Sequence, residues 1–308
     1  MEKKILATIE EAVHNGDTAG ANVLVIKDGK ESAYCGYGMR DIENRLPIER
    51  DTIFRLYSQT KPITAAAAVS LMEKGKLDAG AWLSDYLPEY AVSYVRRNGE
   101  RVPAHKHITV GDLLNMTSGI PYPCEDSEGG KHSGAVFWEI EQKLYSDSPV
   151  TTAEFARKMS EGELCFEPGE RFMYGASADV LGAVIEKVSG MPYEKFIQDS
   201  ILTPIGCYDM HIGHSFYEMR FPNEVRYYEP ADTEPVELFD GSGQLVPRCY
   251  GGCDLQVLSG AGGWVASPTE LMKFITAIDP EDSKPDILKP RTIAYMTEKD
   301  KRKFPIGW

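Results

Sequence analysis

Apolar residues near the start of the chain first follow a helical spacing and then alternate as strands do. Residues 3–14 have the amphipathic period of a helix. In ANVLVIKDGKESAYCGYG, two apolar runs flank Asp28-Gly29, a dipeptide typical of a tight β-hairpin. The following stretch, MRDIENRLPIERDTIF, is expected to be a connecting loop. The N-terminal part is therefore predicted to be one helix and one hairpin.

From about residue 60 to about residue 280 the pattern predicts mainly helices and long loops. An alanine-rich helix begins in KPITAAAAVSLMEKG and stops near Gly75. Further helices are predicted in ITVGDLLNM with a Thr109–Asp112 capping box, TTAEFARKM with Thr152 as N-cap, SADVLGAVIEKVSG, PYEKFIQDSIL, and SPTELMKFITAI with a Ser267–Glu270 capping box. Residues 214–262 form a long excursion rich in Gly, Pro, Tyr and acids. No stretch after the hairpin has a convincing strand pattern.

Charge and composition exclude several classes of partner. The formal net charge is −14 and the pI is near 5.0, whereas nucleic acids and anionic lipids require a basic surface. No segment approaches the roughly 18 apolar residues of a membrane span, and the N-terminus lacks the apolar core of a signal peptide. A cytoplasmic location without nucleic-acid or membrane partners is expected.

Cysteine usage is consistent with that location. The chain has Cys35, Cys124, Cys165, Cys207, Cys249 and Cys253. Free thiols are the expectation in a reducing compartment. CYGGC at 249–253 has no second Cys/His pair beside it, so zinc is not expected, while a local disulfide stays an alternative.

The stretch FRLYSQTKPIT, residues 54–64, sets Ser58 three residues before Lys61 and just ahead of Pro62. Proline is tolerated only in the first turn of a helix, so the helix begins at about residues 58–61. Lys61 then lies one turn after Ser58 on the same face. A serine hydroxyl becomes a nucleophile when a neighbouring base takes its proton, and the helix N-terminus favours an oxyanion. A capping serine beside a solvated lysine explains the motif equally well.

A second candidate group lies in EPGERFMYGASADVLGAVIEKVSG. Pro168-Gly169 marks a turn, and Tyr174 follows in a loop just before a helix. A phenol beside an ammonium group can be held as a phenolate and act as a general base. A lone tyrosine is more often a packing residue, so Tyr174 gains weight only together with Ser58 and Lys61.

Several linked motifs resemble those of one family. In chain order they are FRLYSQTKPITAAAAVSLMEKGKLD, HITVGDLLNMTSGIPY, EPGERFMYGASADVLGAVIEKVSGMPYEKFI, ILTPIGCYDMHIG and GAGGWVASPTELMKF. They resemble the serine β-lactamase and penicillin-binding-protein-like hydrolases, particularly the class C-like branch with its carboxylesterases. The resemblance implies an α+β, β-lactamase/transpeptidase-like fold, in which helices flank an antiparallel sheet beside a mainly helical region.

The resemblance also implies roles for individual residues. Ser58 is the acylated nucleophile, Lys61 and Tyr174 share the proton transfers, and the backbone N–H of Ser58 is one oxyanion donor. No metal or organic cofactor is implied. Tyr122, which follows Thr-Ser-Gly, is the candidate for the pocket rim.

The chain departs from the family pattern at one informative place. The family motif Tyr-x-Asn reads Tyr174-Gly175-Ala176 here. The family Asn contacts an amide of the substrate, and alanine has no group to do so. Ser177, one residue later, is the candidate substitute. This departure favours simple esters over β-lactams and peptides.

A second departure concerns KFPIGW, which ends at Trp308. In the family a similar stretch leads into C-terminal strands that complete the sheet and supply the second oxyanion N–H. The expectation is an incomplete sheet in this chain, with a separate C-terminal fragment as a partner that completes the sheet and the oxyanion hole. The predicted division is 1–60 for the N-terminal helix and hairpin, 61–280 for the mainly helical region with the active-site motifs, and 281–308 for a return segment.

The predicted function is a serine hydrolase that forms an acyl-enzyme on Ser58. A carboxylesterase acting on small esters is the leading prediction. A β-lactamase or D-amino acid peptidase, acting on an amide substrate, is the alternative within the same chemistry. A non-catalytic binding protein or truncated pseudoenzyme is the alternative of a different class.

Overall fold

Short strands and helices alternate along the chain. A computed structural model describes residues 1–145, 151–230, 232–238, 242–251, 254–279 and 287–297. Within these residues the helices are α1 (Glu2–Asn15), α2 (Thr60–Glu73), α3 (Val110–Leu114), α4 (Glu128–Tyr145), α5 (Thr152–Ser160), α6 (Ser177–Ser189), α7 (Tyr193–Ile197), α8 (Arg248–Gly251), α9 (Pro268–Thr276) and α10 (Pro290–Thr297). The strands are β1 (Gly20–Lys27), β2 (Lys30–Asp41), β3 (Leu46–Pro47), β4 (Phe54–Arg55), β5 (Tyr94–Arg97), β6 (Glu100–Pro103), β7 (Glu163–Leu164), β8 (Met210–Ile212), β9 (Val236–Glu237), β10 (Leu245–Val246) and β11 (Trp264–Ala266).

The N-terminal helix and hairpin form as predicted. Strands β1 and β2 pair antiparallel, and the turn residues Asp28 and Gly29 have φ of 50° and 67°. Positive φ at both central positions is the geometry that an Asp-Gly turn supplies. Helix α1 packs against both strands. The expected loop after the hairpin is partly wrong, because β2 continues to Asp41 and β3 pairs with it.

The expectation of no strands after the hairpin is also wrong. Strand β11 lies between β4 and β8, and β5 lies between β6 and β7. These strands are two to four residues long, which is too short for an alternating pattern to stand out. Their partners are distant in sequence, as in the pairing of Val265 with Arg55. Within the described residues no sheet has more than three strands, in agreement with the predicted incomplete sheet.

The core is built around α2, which is buried from Thr60 to Leu71. Four consecutive alanines, residues 65–68, are at most 2% exposed. Alanine combines high helix propensity with a small side chain, so neighbouring helices approach closely. Helix α6 packs directly on α2. The two helices hold the segments that carry Ser58 and Tyr174 at a fixed separation.

Of two predicted helix N-caps, one is confirmed and the other is displaced by one residue. The Thr109–Asp112 capping box at the start of α3 is present as predicted. At the start of α5, the N-cap is Thr151 rather than Thr152, because the Thr151 hydroxyl accepts from Glu154 N–H at 3.1 Å. Thr152 lies in the helix, and its hydroxyl donates to Glu186. Two adjacent threonines offer the same cap, and the contact with α6 selects between them.

The predicted capping box at α9 is half formed. Ser267 accepts a hydrogen bond from the backbone N–H of Glu270, as expected. The Glu270 carboxylate does not reach back to Ser267. It accepts from the backbone N–H groups of Tyr208 and Asp209 at 2.7 and 3.2 Å, so a tertiary contact replaces the local one.

Some predictions fall partly or wholly outside the described residues. KFPIGW and Cys253 lie outside them, and so does most of the predicted return segment except α10, which packs on α2. The described cysteines are free thiols, as predicted: Cys35, Cys124, Cys165, Cys207 and Cys249. Among the described helices, none has the length and apolar character needed to cross a lipid bilayer.

Candidate active site

Ser58 lies in a single 3-10 turn, Tyr57–Gln59, that leads directly into α2. Pro62 is in the first turn of α2, as its chemistry requires. The preceding residue, Tyr57, has φ of 46°, a left-handed conformation that is uncommon outside glycine. The helix start predicted from Pro62 is confirmed, and Ser58 is at its N-terminal edge.

Three side chains predicted from separate motifs meet at this helix start. The Lys61 ammonium donates to Ser58 Oγ at 3.2 Å and to Tyr174 OH at 2.7 Å. The hydroxyl groups of Ser58 and Tyr174 are hydrogen-bonded to each other. Tyr174 belongs to the loop before α6. A nucleophile, a cation and a potential base therefore form one closed triangle.

Lys61 has a third acceptor that the sequence did not reveal. Its Nζ donates to the backbone carbonyl of Ala261 at 2.9 Å. An ammonium group has three N–H donors, and Ser58, Tyr174 and Ala261 provide an acceptor for each. Lys61 is only 4% exposed, so these acceptors take the place of water around its charge.

Asp179, on α6, holds the segment that presents the Ala261 carbonyl. Its Oδ1 accepts from the backbone N–H of Ala261 at 2.9 Å. Thr64 of α2 donates to the neighbouring Gly260 carbonyl at 2.6 Å. A Cβ on Gly260 would lie 2.4 Å from the carbonyl oxygen of Ala178, so glycine is needed for this close approach. Two helices thus fix the segment against Lys61.

The charge of Asp179 is tied to the same cluster. Burial raises the pKa of Asp179 to about 7, and the positive charge of Lys61 and hydrogen bonds from the Gly260 and Ala261 backbone act in the opposite direction. Asp179 was part of a predicted helix, but its link to Ala261 spans 82 residues of sequence. Local sequence signals do not report a contact of that range.

A cavity of about 460 Å³ opens beside the triangle. Its lining includes Tyr57, Ser58, Lys61, Tyr122, Pro123, Gly134, Phe137, Trp138, Glu141, Tyr174, Leu258, Ala261 and Gly262. The volume suits a small organic ligand. Most of the wall is aromatic or aliphatic, and the polar groups are concentrated at Ser58, Lys61, Tyr174 and Glu141.

The two predicted substrate-binding residues are in different places. Tyr122 lines the cavity, with its ring 5.8 Å from that of Tyr174 and 6.3 Å from that of Phe137. Ser177 is 1% exposed, and its hydroxyl is hydrogen-bonded to that of Ser118 at 2.8 Å. Ser177 is not part of the cavity lining, and we leave it out of the proposed site.

The far wall of the cavity comes from α4, a helix that the sequence reasoning missed. Gly134, Phe137, Trp138 and Glu141 line it, at spacings of three, four and seven residues that define one helical face. This helical spacing was the sequence signal from which the wall of the cavity could have been predicted. Trp138 is 63% exposed and lines the cavity.

Histidine side chains form no metal site within the described structure. No group of three or more His, Cys, Asp or Glu side chains there is arranged to hold a metal ion. His211 lies near Asp209, and His214 is hydrogen-bonded to Gln256.

Sequence and structure comparisons place the chain among known proteins. The chain is 27% identical to Esterase EstB of Burkholderia gladioli over 309 residues, which cover 96% of the chain and 73% of EstB. Its fold is similar to that of EstCE1, described as a hydrolase with promiscuous acyltransferase activity, with a TM-score of 0.71, 24% identity, and 96% and 76% coverage. It is also similar to a D-amino acid amidase from Ochrobactrum anthropi SV3, with a TM-score of 0.67, 22% identity, and 95% and 74% coverage.

The chain covers a smaller share of two other curated relatives. The chain spans about half the length of the Mycobacterium tuberculosis proteins it matches at 31% identity over 208 residues. The fold comparisons confirm the predicted β-lactamase/transpeptidase-like architecture. The model of the Beta-lactamase family matches residues 5–308. An esterase is among the relatives of this chain, and the chain belongs to the Beta-lactamase family.

Proposed function

We propose that this protein is a serine hydrolase that forms an acyl-enzyme on Ser58 and acts on small carboxylic esters. The observation that carries the proposal is the triangle of Ser58 Oγ, Lys61 Nζ and Tyr174 OH on the wall of a ligand-sized cavity. A serine hydroxyl next to a proton acceptor, which is itself held by a third group, is the arrangement that nucleophilic catalysis needs.

The hydrogen bonds support a definite path for the proton. With three acceptors around it, Lys61 is best satisfied as an ammonium. In the proposed mechanism the Lys61 charge holds Tyr174 as a phenolate, which takes the proton of Ser58 and becomes a neutral phenol. Ser58 Oγ bonds to the ester carbon, and the carbonyl π electrons move to oxygen. The oxyanion then re-forms the carbonyl as the C–O bond to the alcohol breaks, and the alcohol leaves with the proton from Tyr174, which becomes a phenolate again.

Deacylation follows the same path with water in place of the alcohol. Water gives a proton to Tyr174 and bonds to the acyl carbon, and Ser58 Oγ recovers a proton as the carboxylic acid leaves. The backbone N–H of Ser58, at the start of α2, is the proposed oxyanion donor. Each atom and proton is accounted for without another reactant.

Two observations favour esters over amides. Esterase EstB is a relative along nearly the whole chain. Ala176, which stands where the family Asn would contact a substrate amide, is fully buried and has no polar side chain. Amide hydrolysis, as by β-lactamases or D-amino acid peptidases, is the second candidate, and the similarity to a D-amino acid amidase favours testing it. The cytoplasmic location stays a prediction from the sequence.

The test is active-site labelling followed by a hydrolysis panel. A fluorophosphonate probe is expected to label the protein at Ser58, and Ser58→Ala is expected to remove both the label and hydrolysis of p-nitrophenyl esters. Tyr174→Phe is expected to slow acylation by about 10²–10⁴-fold, the usual contribution of a general base. Nitrocefin and a D-Ala-D-Ala peptide test the amide alternative.

Ser70→Ala is the matched control, because Ser70 is a buried serine of the same helix that donates to the carbonyl of Ala67. It is expected to keep the label. A label that survives Ser58→Ala means that the nucleophile is misassigned. A folded protein that takes no label even when any C-terminal fragment is present contradicts the proposed hydrolase function and favours a binding protein.

A further inference from the structure

Glu141 occupies a position where the pattern of α4 calls for an apolar residue. Phe137 and Ile140, on the buried side of the helix, are 7% and 0% exposed. Glu141, which follows them, is also buried and is 5% exposed. Burying a carboxyl group without full hydrogen bonding costs stability. An apolar side chain of similar size would serve the packing better, so packing alone does not account for this residue.

The carboxyl group lacks a hydrogen-bond partner on one oxygen. Oε1 of Glu141 is buried and has none among the described residues. Buried polar atoms nearly always have a partner in a folded protein, whether a protein group, water or a ligand. Since Glu141 lines the cavity that also contains Ser58, a bound ligand is in a position to supply that partner.

The charges nearby define what kind of partner fits. Burial raises the pKa of Glu141 to about 8, the negative charge of Asp254 acts in the same direction, and a hydrogen bond from the Asp254 backbone opposes them. Asp254 is itself buried, with Oδ2 and Oδ1 accepting from the N–H groups of Ser215 and Gln256. When two neighbouring carboxyl groups are both shielded from water, a nearby cation stabilises their ionised forms most.

The remaining wall is also suited to a cation. Tyr122, Phe137 and Trp138 line the cavity with Glu141, and aromatic faces attract ammonium groups. Tyr122 already lies 6.0 Å from the Lys61 ammonium, measured to the ring centroid. The aromatic rings therefore continue from the Ser58 side of the cavity to the Glu141 side.

We propose that Glu141 binds a primary ammonium group of the substrate, so that the natural substrates are esters or amides that carry an amine in the part lying against α4. The claim about substrates rests on the proposed function, because it places the scissile bond at Ser58. The ammonium would donate to Oε1 of Glu141 and pack against the aromatic wall. Glu141 is then a specificity-determining residue.

The test compares two ligands that differ only in charge, phenethylammonium and phenethyl alcohol. Binding is measured at about pH 9, above the pKa of about 8 that burial gives Glu141, so that this side chain is a carboxylate. Calorimetry or ligand-observed NMR is carried out on Ser58→Ala protein, so that the result does not depend on catalysis. Phenethylammonium is expected to bind about tenfold or more tightly than the alcohol, as a charge-assisted hydrogen bond to a buried carboxylate provides. Adding Glu141→Gln is expected to bring the ratio close to one.

Glu139→Gln is the matched control, since it removes the same charge from an exposed position of the same helix, where Glu139 pairs with Lys158. It is expected to keep the preference. Equal binding of the two ligands to the parent protein overturns the proposal without any variant at Glu141. A preference that persists in Glu141→Gln overturns it as well. Failure of Ser58 to take the fluorophosphonate label is a separate result, which bears on the proposed function and not on ammonium binding.

Discussion

Two buried carboxyl groups, Asp179 and Glu141, lie beside the same candidate site, and they differ in the charge that each one meets. Both have one oxygen without a hydrogen-bond partner in the described structure. Burial raises the pKa of both, to about 7 for Asp179 and about 8 for Glu141. The positive charge of Lys61 opposes the rise at Asp179, whereas the negative charge of Asp254 adds to it at Glu141.

This difference separates a positioning group from a binding group. Asp179 has its counter-charge, Lys61, within the protein, and it fixes the Ala261 backbone that Lys61 also contacts. Glu141 has a like charge beside it and a cavity in front of it. Similar burial therefore leads to different roles, because the free energy of a buried carboxyl group depends on the sign of its neighbours.

The largest effect is expected for the positioning group. Asp179→Ala removes the acceptor of the Ala261 N–H, so the segment that contacts Lys61 loses its anchor on α6. Displacements of about 1 Å in a catalytic site cost about 100-fold in rate, and we expect a loss of that order in kcat for p-nitrophenyl esters with a small change in KM. Steady-state kinetics on the two proteins measures it.

Asp179→Asn sharpens this test, because asparagine keeps an acceptor for Ala261 and removes the charge. It is expected to recover most of the lost kcat. Burial raises the pKa of Asp179 to about 7, so the kcat–pH profile of the wild type is expected to carry a titration step there that Asp179→Asn lacks. A merely structural role for Asp179 would leave the two profiles parallel. Asp199→Asn, an exposed aspartate paired with Lys195, is the control.

The sequence predicts the reacting side chains better than the residues that position them. Ser58 and Lys61 are three residues apart on a helix whose start is fixed by Pro62, so local rules are sufficient to bring them together. The link between Asp179 and Ala261 depends on how α6 meets a glycine-rich segment 82 residues away. That meeting is decided by packing of the whole core, which no local pattern encodes.

The same reason explains which parts of the fold were predicted. The hairpin at Asp28-Gly29 and the capping box at Thr109 are set by neighbouring residues and form as expected. Strand β11 exists because β4 and β8 pair with its two edges, and its three residues have no pattern of their own. Helix α4 was not predicted, and the carboxyl group of Glu141 on its buried side is the feature that points to a ligand.

An effect of intermediate size is expected in the pH dependence of stability. In the folded protein Glu141 holds its proton up to about pH 8, compared with an ordinary pKa of 4.5. The folded state then binds more protons than the unfolded state in this range, so the free energy of unfolding falls as pH rises from about 4.5 to 8. Glu141→Gln removes this contribution, while the contribution of Asp179 stays in both proteins.

Denaturant unfolding of the wild type and Glu141→Gln at pH 5 and pH 9 measures the difference. We expect the variant to gain more than about 1 kcal/mol relative to the wild type between these pH values, since each unit of pKa shift corresponds to about 1.4 kcal/mol. Glu139→Gln, the control, is expected to show no comparable gain, because Lys158 lowers the pKa of Glu139 and this group titrates below the range measured. Parallel pH dependences of wild type and Glu141→Gln would mean that Glu141 is ionised in the folded state and already has a counter-charge.

The smallest effect, and the sharpest test of the comparison, is the coupling between the two carboxyl groups. Among the described residues, the charge that shifts the pKa of Glu141 belongs to Asp254, and Asp179 does not contribute. Groups without shared partners act independently within about 0.3–0.5 kcal/mol. The effect of Glu141→Gln on kcat for a neutral ester should therefore be the same in the wild type and in Asp179→Ala, within that margin. Asp179→Ala should also leave the preference for phenethylammonium intact. A coupling well above 1 kcal/mol would instead mean that both acids belong to one network, in which positioning and binding are a single function.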